Sequence, residues 1–305
     1  MKKTVSFFSV LFLSAVFFAT SLSAAESISA GDVPDGFAGQ SFSFANIKTD
    51  SAVTVSSKRN LLNALKKGGV IYVDGMIDLS EGMFPEKSGE ANAALDAFVQ
   101  KNSNYSSYAE YRDAYVAACT TSTEESAKSS SKSPLYEPMH SLNMAYKSVI
   151  LLSVPSDTVI IGLTADSGFS GGSVSISKAS NVVLRNLVIR DAYDPFPHHE
   201  ANDGFNSQHD CVLVENSSNV WIDHCTFYDT KEQTYVKTGG SVSEKWVTYD
   251  GLCDITKEST NVTVSYCKFM DHNKTMLIGS SDSEKIDAAN RKVTLHHNYF
   301  YNCAS

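Results

Sequence analysis

"NVWIDHCTFYD", Asn219–Asp229, has a near-copy on either side of it. "NVVLRNLVIRD" starts at Asn181, "NVTVSYCKFMD" at Asn261 and "KVTLHHNYFYN" at Lys292. The second position is valine in all four (Val182, Val220, Val262, Val293), and the fourth is aliphatic (Leu184, Ile222, Val264, Leu295). The ninth is Ile189, Phe227, Phe269 or Phe300, and the last is Asp191, Asp229, Asp271 or Asn302. Apolar residues two apart make a short strand with one face inward. The seventh position (Leu187, Cys225, Cys267, Asn298) and the ninth make a second strand in the other phase, so the chain must turn a corner at the fifth and sixth. Short strands, corners and a recurring unit describe a solenoid, each coil burying its inner face against the next. Intervals of 38, 42 and 31 residues are too uneven for a regular array. They suit an all-β parallel β-helix with loops of varying length inserted on one side.

The cysteines follow the same period. Cys211 and Cys253 are 42 residues apart, as are Cys225 and Cys267, which puts each pair at one offset on successive coils. Strands stacked about 4.8 Å apart bring such pairs within disulfide reach. Cysteine's tendency to be buried favours the alternative, inward thiols packed as small hydrophobes. Together with Cys119 and Cys303 they form no CxxC pair, which argues against a zinc knuckle.

Outward from the coils, "KRNLLNALKKGG" (58–69) reads as an amphipathic capping helix stopped by Gly68-Gly69, with "VIYVDGMIDLS" as the first strand. The cap spans 44–85. Residues 86–147 read as one long insertion, helical around "YAEYRDAYVAAC" and then serine-rich in "TTSTEESAKSSSKSP". "VILLSVPSDTVIIGL" (149–163) returns to β structure, so coils fill 148–305 of a single domain, 26–305. Residues 1–25 carry Lys2-Lys3, an apolar run and a small-residue site at Ser23-Ala24-Ala25, the pattern of a secretory signal peptide. A membrane anchor fits less well, because the run is short and broken by Ser9, Ser14 and Thr20. Loss of the leader takes the net charge from −9 to −11. So acidic a chain is a poor partner for nucleic acid or anionic membranes, and a polyanionic substrate would need a cationic patch or a bridging metal.

"YDGLCDI" (249–255) raises a question of charge. Asp250 and Asp254 are four apart, so in an extended strand their carboxylates share a face, and Asp210 in "DCVLVE" belongs beside them on the preceding coil. Three converging carboxylates suit calcium, a hard cation bound by oxygen. A solvated acidic strip is the simpler alternative.

"VTVSYCKFMDHNKTMLIGSSD" (262–282), "VWIDHC" (220–225), "VTLHHNYF" (293–300) and the DGxxD step at 250–254 together resemble the pectate lyases of polysaccharide lyase family 1. So do "VPSDTVIIGL" and "NVVLRNLVI", and the resemblance runs from about residue 44 to the end. It implies a right-handed parallel β-helix, secreted and monomeric, that cleaves polygalacturonate by calcium-dependent β-elimination. Carried over by motif, it makes Asp210, Asp250 and Asp254 the calcium ligands and Lys274 the residue that pairs with a substrate uronate. Gln208 stands where many members carry a further acid, which removes a ligand for secondary calcium and implies a weaker main site.

The family's base is an arginine in an R-x-P-x-x-R segment that follows the strand seen here as "HHNYFYNC". The sequence stops at Ser305, where that segment would begin, and Arg185, Arg190 and Arg291 lie in other contexts. The resemblance therefore expects closing coils and a base beyond these 305 residues, and weak or no elimination without them. Three other functions compete. A pectin lyase would act on methyl esters without calcium, which the retained aspartates argue against. A polygalacturonan hydrolase would need paired water-activating carboxylates that are absent after these strands. A binding protein would keep the calcium site and lack the base. Asp223, in "WIDH", reads as a structural turn acid, and the adjacent histidines 198–199 and 296–297 alternate faces and form no metal pair.

Overall fold

A computed structural model describes residues 33–121, 136–200, 204–232, 234–237, 243–280 and 290–304. Three parallel sheets run the length of the solenoid. The long sheet has seven strands, Val53–Val55, Gly69–Val73, Thr158–Gly162, Ser180–Arg185, Ser218–Asp223, Thr260–Ser265 and Val293–His296. A six-stranded sheet includes Val188–Arg190, Thr226–Tyr228, Lys268–His272 and Tyr299–Cys303. The third sheet joins Leu151–Ser153, Ser173–Ser177, Val212–Glu215 and Cys253–Thr256. Each coil passes from the long sheet through the second to the third and back, as a right-handed parallel β-helix.

The aligned sequence positions become columns. Val182, Val220, Val262 and Val293 are register partners, as are Leu184, Ile222, Val264 and Leu295. Ile189, Phe227, Phe269 and Phe300 stack in the second sheet, with Phe227 and Phe269 ring centroids 4.8 Å apart and 3° from coplanar. The corner at the sixth position is left-handed backbone, φ 53° at Asn186, 52° at His224 and Tyr266, and 54° at His297. Such a φ costs energy for a non-glycine residue. The ring stacks His224–Tyr266 at 4.9 Å and Tyr266–His297 at 4.8 Å help offset it at the last three of these corners. Phe227 sits between Ile189 and Phe269 in this column and is fully buried. Phe227→Ala is expected to lower stability by about 3–5 kcal/mol, read as a fall in the urea midpoint; an unchanged midpoint would mean the column carries no load.

Several elements differ from the sequence reading. "VIYVDGMIDLS" is two strands, Gly69–Val73 and Met76–Asp78, in different sheets, and Val53–Val55 precedes them. Gly75, at φ 79°, turns the chain between them. The capping helix α1 is Lys58–Leu65, with Ser57 accepting from the Asn60 N–H and Leu61, Ala64 and Leu65 buried. Gly68 and Gly69, both at positive φ, follow its end.

The cysteine offset holds for one pair only. Thr226 pairs with Lys268, so Cys225 and Cys267 stack, but Val212 and not Cys211 is the partner of Cys253. Three residues separate Thr256 from Thr260 where two separate Glu215 from Ser218, which shifts the register by one. All six cysteines are free thiols, and five are buried.

The insertion is more ordered than its sequence suggests. Helices α2 (Ala93–Asn102), α3 (Tyr108–Thr121) and α4 (Tyr136–Ile150) pack around Tyr108, Tyr111, Tyr146, Phe196, Phe205 and Trp246, an aromatic core separate from the coil core. Helix α4 runs through Ile150, beyond the expected start of β structure at 149, and the strand begins at Leu151. Most of the serine-rich stretch, and the leader at 1–25, lie outside the described residues. Among the described residues no helix is long and apolar enough to cross a membrane.

The segment 35–43 precedes the expected cap. It lies across the long sheet, where the Ser41 hydroxyl donates to Asn219 Oδ1 at 2.6 Å and Asn261 Nδ2 donates to Ser41 Oγ at 2.9 Å. The Ala38 N–H donates to Thr263 Oγ1 at 3.0 Å. These bonds tie successive coils together from outside.

Candidate functional site

The third sheet brings the expected residues together. Val212–Glu215 pairs with Cys253–Thr256, and beyond them single bridges join Gly251 to Lys274 and Ile255 to Ile278. Three coils thus place Asp210, Gly251 and Lys274 side by side. Cys253 and Ile255 point into the core while Asp254 alternates outward, as strand geometry requires. Asp210 Oδ1 accepts the Gly251 N–H at 2.9 Å, and Asp254 Oδ1 accepts the Leu277 N–H at 3.1 Å. Lys274 Nζ donates to Asp250 Oδ1 at 3.2 Å and to Asn206 Oδ1 at 2.6 Å.

Gly251 is what lets the carboxylates converge. A Cβ there would stand 2.3 Å from Asp254 Oδ1 and 2.9 Å from Asp210 Oδ1. Burial first, then the charges of Asp254 and Asp250, holds the Asp210 carboxyl well above the usual range. Asp250 is raised by burial against the opposing pull of Lys274. Asp254 is pushed up to about 6, by burial first, with its Leu277 bond opposing and the Asp250 charge adding. Each acid here resists ionising, which is the electrostatic condition a divalent cation relieves.

As they stand, no three His, Cys, Asp or Glu side chains among the described residues close into a metal-holding group; Asp250 turns to Lys274. The donors are nonetheless all oxygen, and two of the carboxylates, Asp210 and Asp254, converge over a residue without a side chain. That chemistry fits calcium. Gly251→Ala is expected to raise the calcium concentration needed for half-saturation by about tenfold, in line with losses seen when metal ligands are mispositioned. Calorimetric calcium titration checks this, with melting temperature as the control for folding.

Several supporting residues were not legible in the sequence. Asn206, on the strand Gly204–Asn206 of a separate four-stranded sheet, holds Lys274 from the insertion side. Asp194 is fully buried and accepts from Asn143 Nδ2 at 3.1 Å, the Phe196 N–H at 2.8 Å and the Gln208 N–H at 3.0 Å. It anchors the approach to Asp210. His272 faces Asp229 through Nδ1 and the Asp250 carbonyl through Nε2. The signal for these residues is spatial; nothing in their local sequence marks them.

Other expectations resolve simply. Asp223 is buried, paired with Arg185 at 3.2 Å, and accepts from the Ser265 hydroxyl at 2.7 Å, a structural corner as expected. Gln208 is exposed, on the same side as Asp210. Arg190 pairs with Asp191 at 3.1 Å, and Arg291 donates to the Lys257 carbonyl at 2.8 Å, so the described arginines near the coils are engaged elsewhere. A groove of about 260 Å³ beside Asp210 is lined by Lys147, Ser153, Ser175, Gln208 and Glu215, among others. It lies on the outer face of the third sheet, alongside the carboxylates.

Comparison with known proteins points the same way. A family model described as "Pectate lyase" matches residues 115–305. Pectate lyase E of Dickeya chrysanthemi is 44% identical over 153 residues, 49% of this chain and 39% of that protein. A pectate lyase of Bacillus subtilis is 31% identical over 267 residues, 83% of this chain and 59% of its own length. The matches thus span less than two thirds of either relative. A solved pectate lyase bound to a hexasaccharide superposes with a TM-score of 0.73 at 28% identity, over 89% of this chain and 67% of that one.

Proposed function

This chain belongs to the pectate lyase family, and from that premise we propose that it grips de-esterified polygalacturonate at Asp210, Asp250, Asp254 and Lys274 and cleaves it by β-elimination. The observation that carries the proposal is the convergence of the Asp210 and Asp254 carboxylates over Gly251, with Asp250 beside them paired to the Lys274 ammonium. Calcium, held by those aspartates, would supply a bridge to a uronate and polarise its carboxylate.

The protein's own residues account for the rest of the grip. Lys274, held by Asn206 and Asp250, presents an ammonium that can pair with a substrate carboxylate. Withdrawing charge from that carboxylate makes the proton on the adjacent sugar carbon more acidic, the condition for its removal. The groove beside Asp210 offers hydroxyls to neighbouring sugar units along the third sheet. The basic and apolar leader at 1–25 supports export, so the substrate would be met outside the cytoplasm.

Ultraviolet absorbance of unsaturated uronide, released from polygalacturonate in calcium but not in chelator, is the expected result. Absence of product in both conditions would overturn the lyase reading. A second reading, calcium-dependent binding without cleavage, is favoured by the engagement of Arg185, Arg190 and Arg291 elsewhere. Calcium-dependent binding with no product would select it.

A further inference from the structure

Asp250 precedes the strand Cys253–Thr256, and the parallel pairing on this side reaches its neighbour Gly251, which bridges Lys274. The Asp250 carbonyl itself is met by a side chain, His272, whose Nε2 lies 2.5 Å from it. The other ring nitrogen faces the Asp229 carboxylate. A carbonyl and a carboxylate can only accept, so the ring donates from both nitrogens. His272 is 8% exposed, which leaves the ring a brace and not a proton acceptor for substrate. It ends the strand Lys268–His272, two residues before Lys274. The ring therefore welds the segment that carries the ammonium to the backbone of the carboxylate it pairs with.

We propose that His272 is a positioning residue that locks Asp250, with Lys274, in the geometry for calcium and uronate. The inference rests on the calcium reading given above. Ligand-supporting residues of this kind change metal affinity by about ten- to a hundredfold when lost.

Two substitutions separate this role from simple packing. His272→Asn places an amide near the position of Nδ1, keeping the Asp229 bond and losing the one to Asp250. His272→Gln extends an amide toward the position of Nε2 and keeps the Asp250 bond. The measurement is the calcium concentration that half-saturates trigalacturonate binding, by calorimetry on the full chain, with melting in chelator alongside. His272→Asn should raise that concentration by at least about tenfold and His272→Gln by no more than about threefold, at similar melting temperatures. A wild-type response from His272→Asn, or equal responses from both variants, would overturn the inference while leaving the calcium site intact. A wild-type chain that binds trigalacturonate equally in calcium and chelator, or in neither, would overturn the calcium reading and this inference with it.

Discussion

Lys274→Met is expected to weaken calcium-dependent binding of polygalacturonate by about ten- to a hundredfold, the worth of a charge-assisted hydrogen bond. Elimination should fall further, by about a hundred- to a thousandfold, because the ammonium matters most when charge builds on the substrate carboxylate. Methionine keeps most of the stem and removes only the charge. The structure makes this lysine hard to replace. Asn206 and Asp250 grip Nζ from two sides at 2.6 and 3.2 Å, and an arginine fork would not fit that point contact. Binding heat and initial rate, measured on the same preparations, check both numbers. A variant with normal binding and normal rate would remove Lys274 from the site.

Asp254→Asn should have opposite effects on binding and stability. Calcium-dependent binding is expected to fall by at least about a hundredfold, since a ligand charge is lost from a set of three. In chelator the same change should stabilise the fold. The Asp254 carboxyl titrates at about 6 in the folded protein, against about 3.9 in an unfolded chain. Between those values the native state holds more protons than the unfolded one, so stability drops as pH rises through the window. Above about pH 6 the whole cost is present, and below about pH 4 it is absent. The variant should therefore melt a few degrees above wild type near pH 7.5 and converge with it near pH 3.5. Melting curves at the two values decide the point; a variant less stable than wild type at pH 7.5 in chelator would contradict the electrostatic account.

The columns of the solenoid were readable because each coil repeats the same physical demand. Val182, Val220, Val262 and Val293 are one inward position met four times, and period alone identifies it. The corner residues were readable for the same reason, since Asn186, His224, Tyr266 and His297 share one left-handed turn. The register of the third sheet was not, because a one-residue difference between two turns moves Cys211 off Cys253 without altering the sequence period that suggested the pair. The insertion escaped for another reason. Its tyrosines Tyr108, Tyr111 and Tyr146 are held by Phe196, Phe205 and Trp246 from segments far along the chain, so no local period announces them. The aspartates and Lys274 were legible through motif and strand alternation. Asn206, Asp194 and His272 were not, since each acts through a neighbour more than ten residues away in sequence.

Asp210, Asp250, Asp254 and Lys274 are expected to grip uronate only when calcium is present. Titrating polygalacturonate into the wild-type chain by calorimetry, once in calcium and once in chelator, tests it most directly. Saturable heat in calcium and none in chelator is the expected result. Equal heat in both, or none in either, would contradict it.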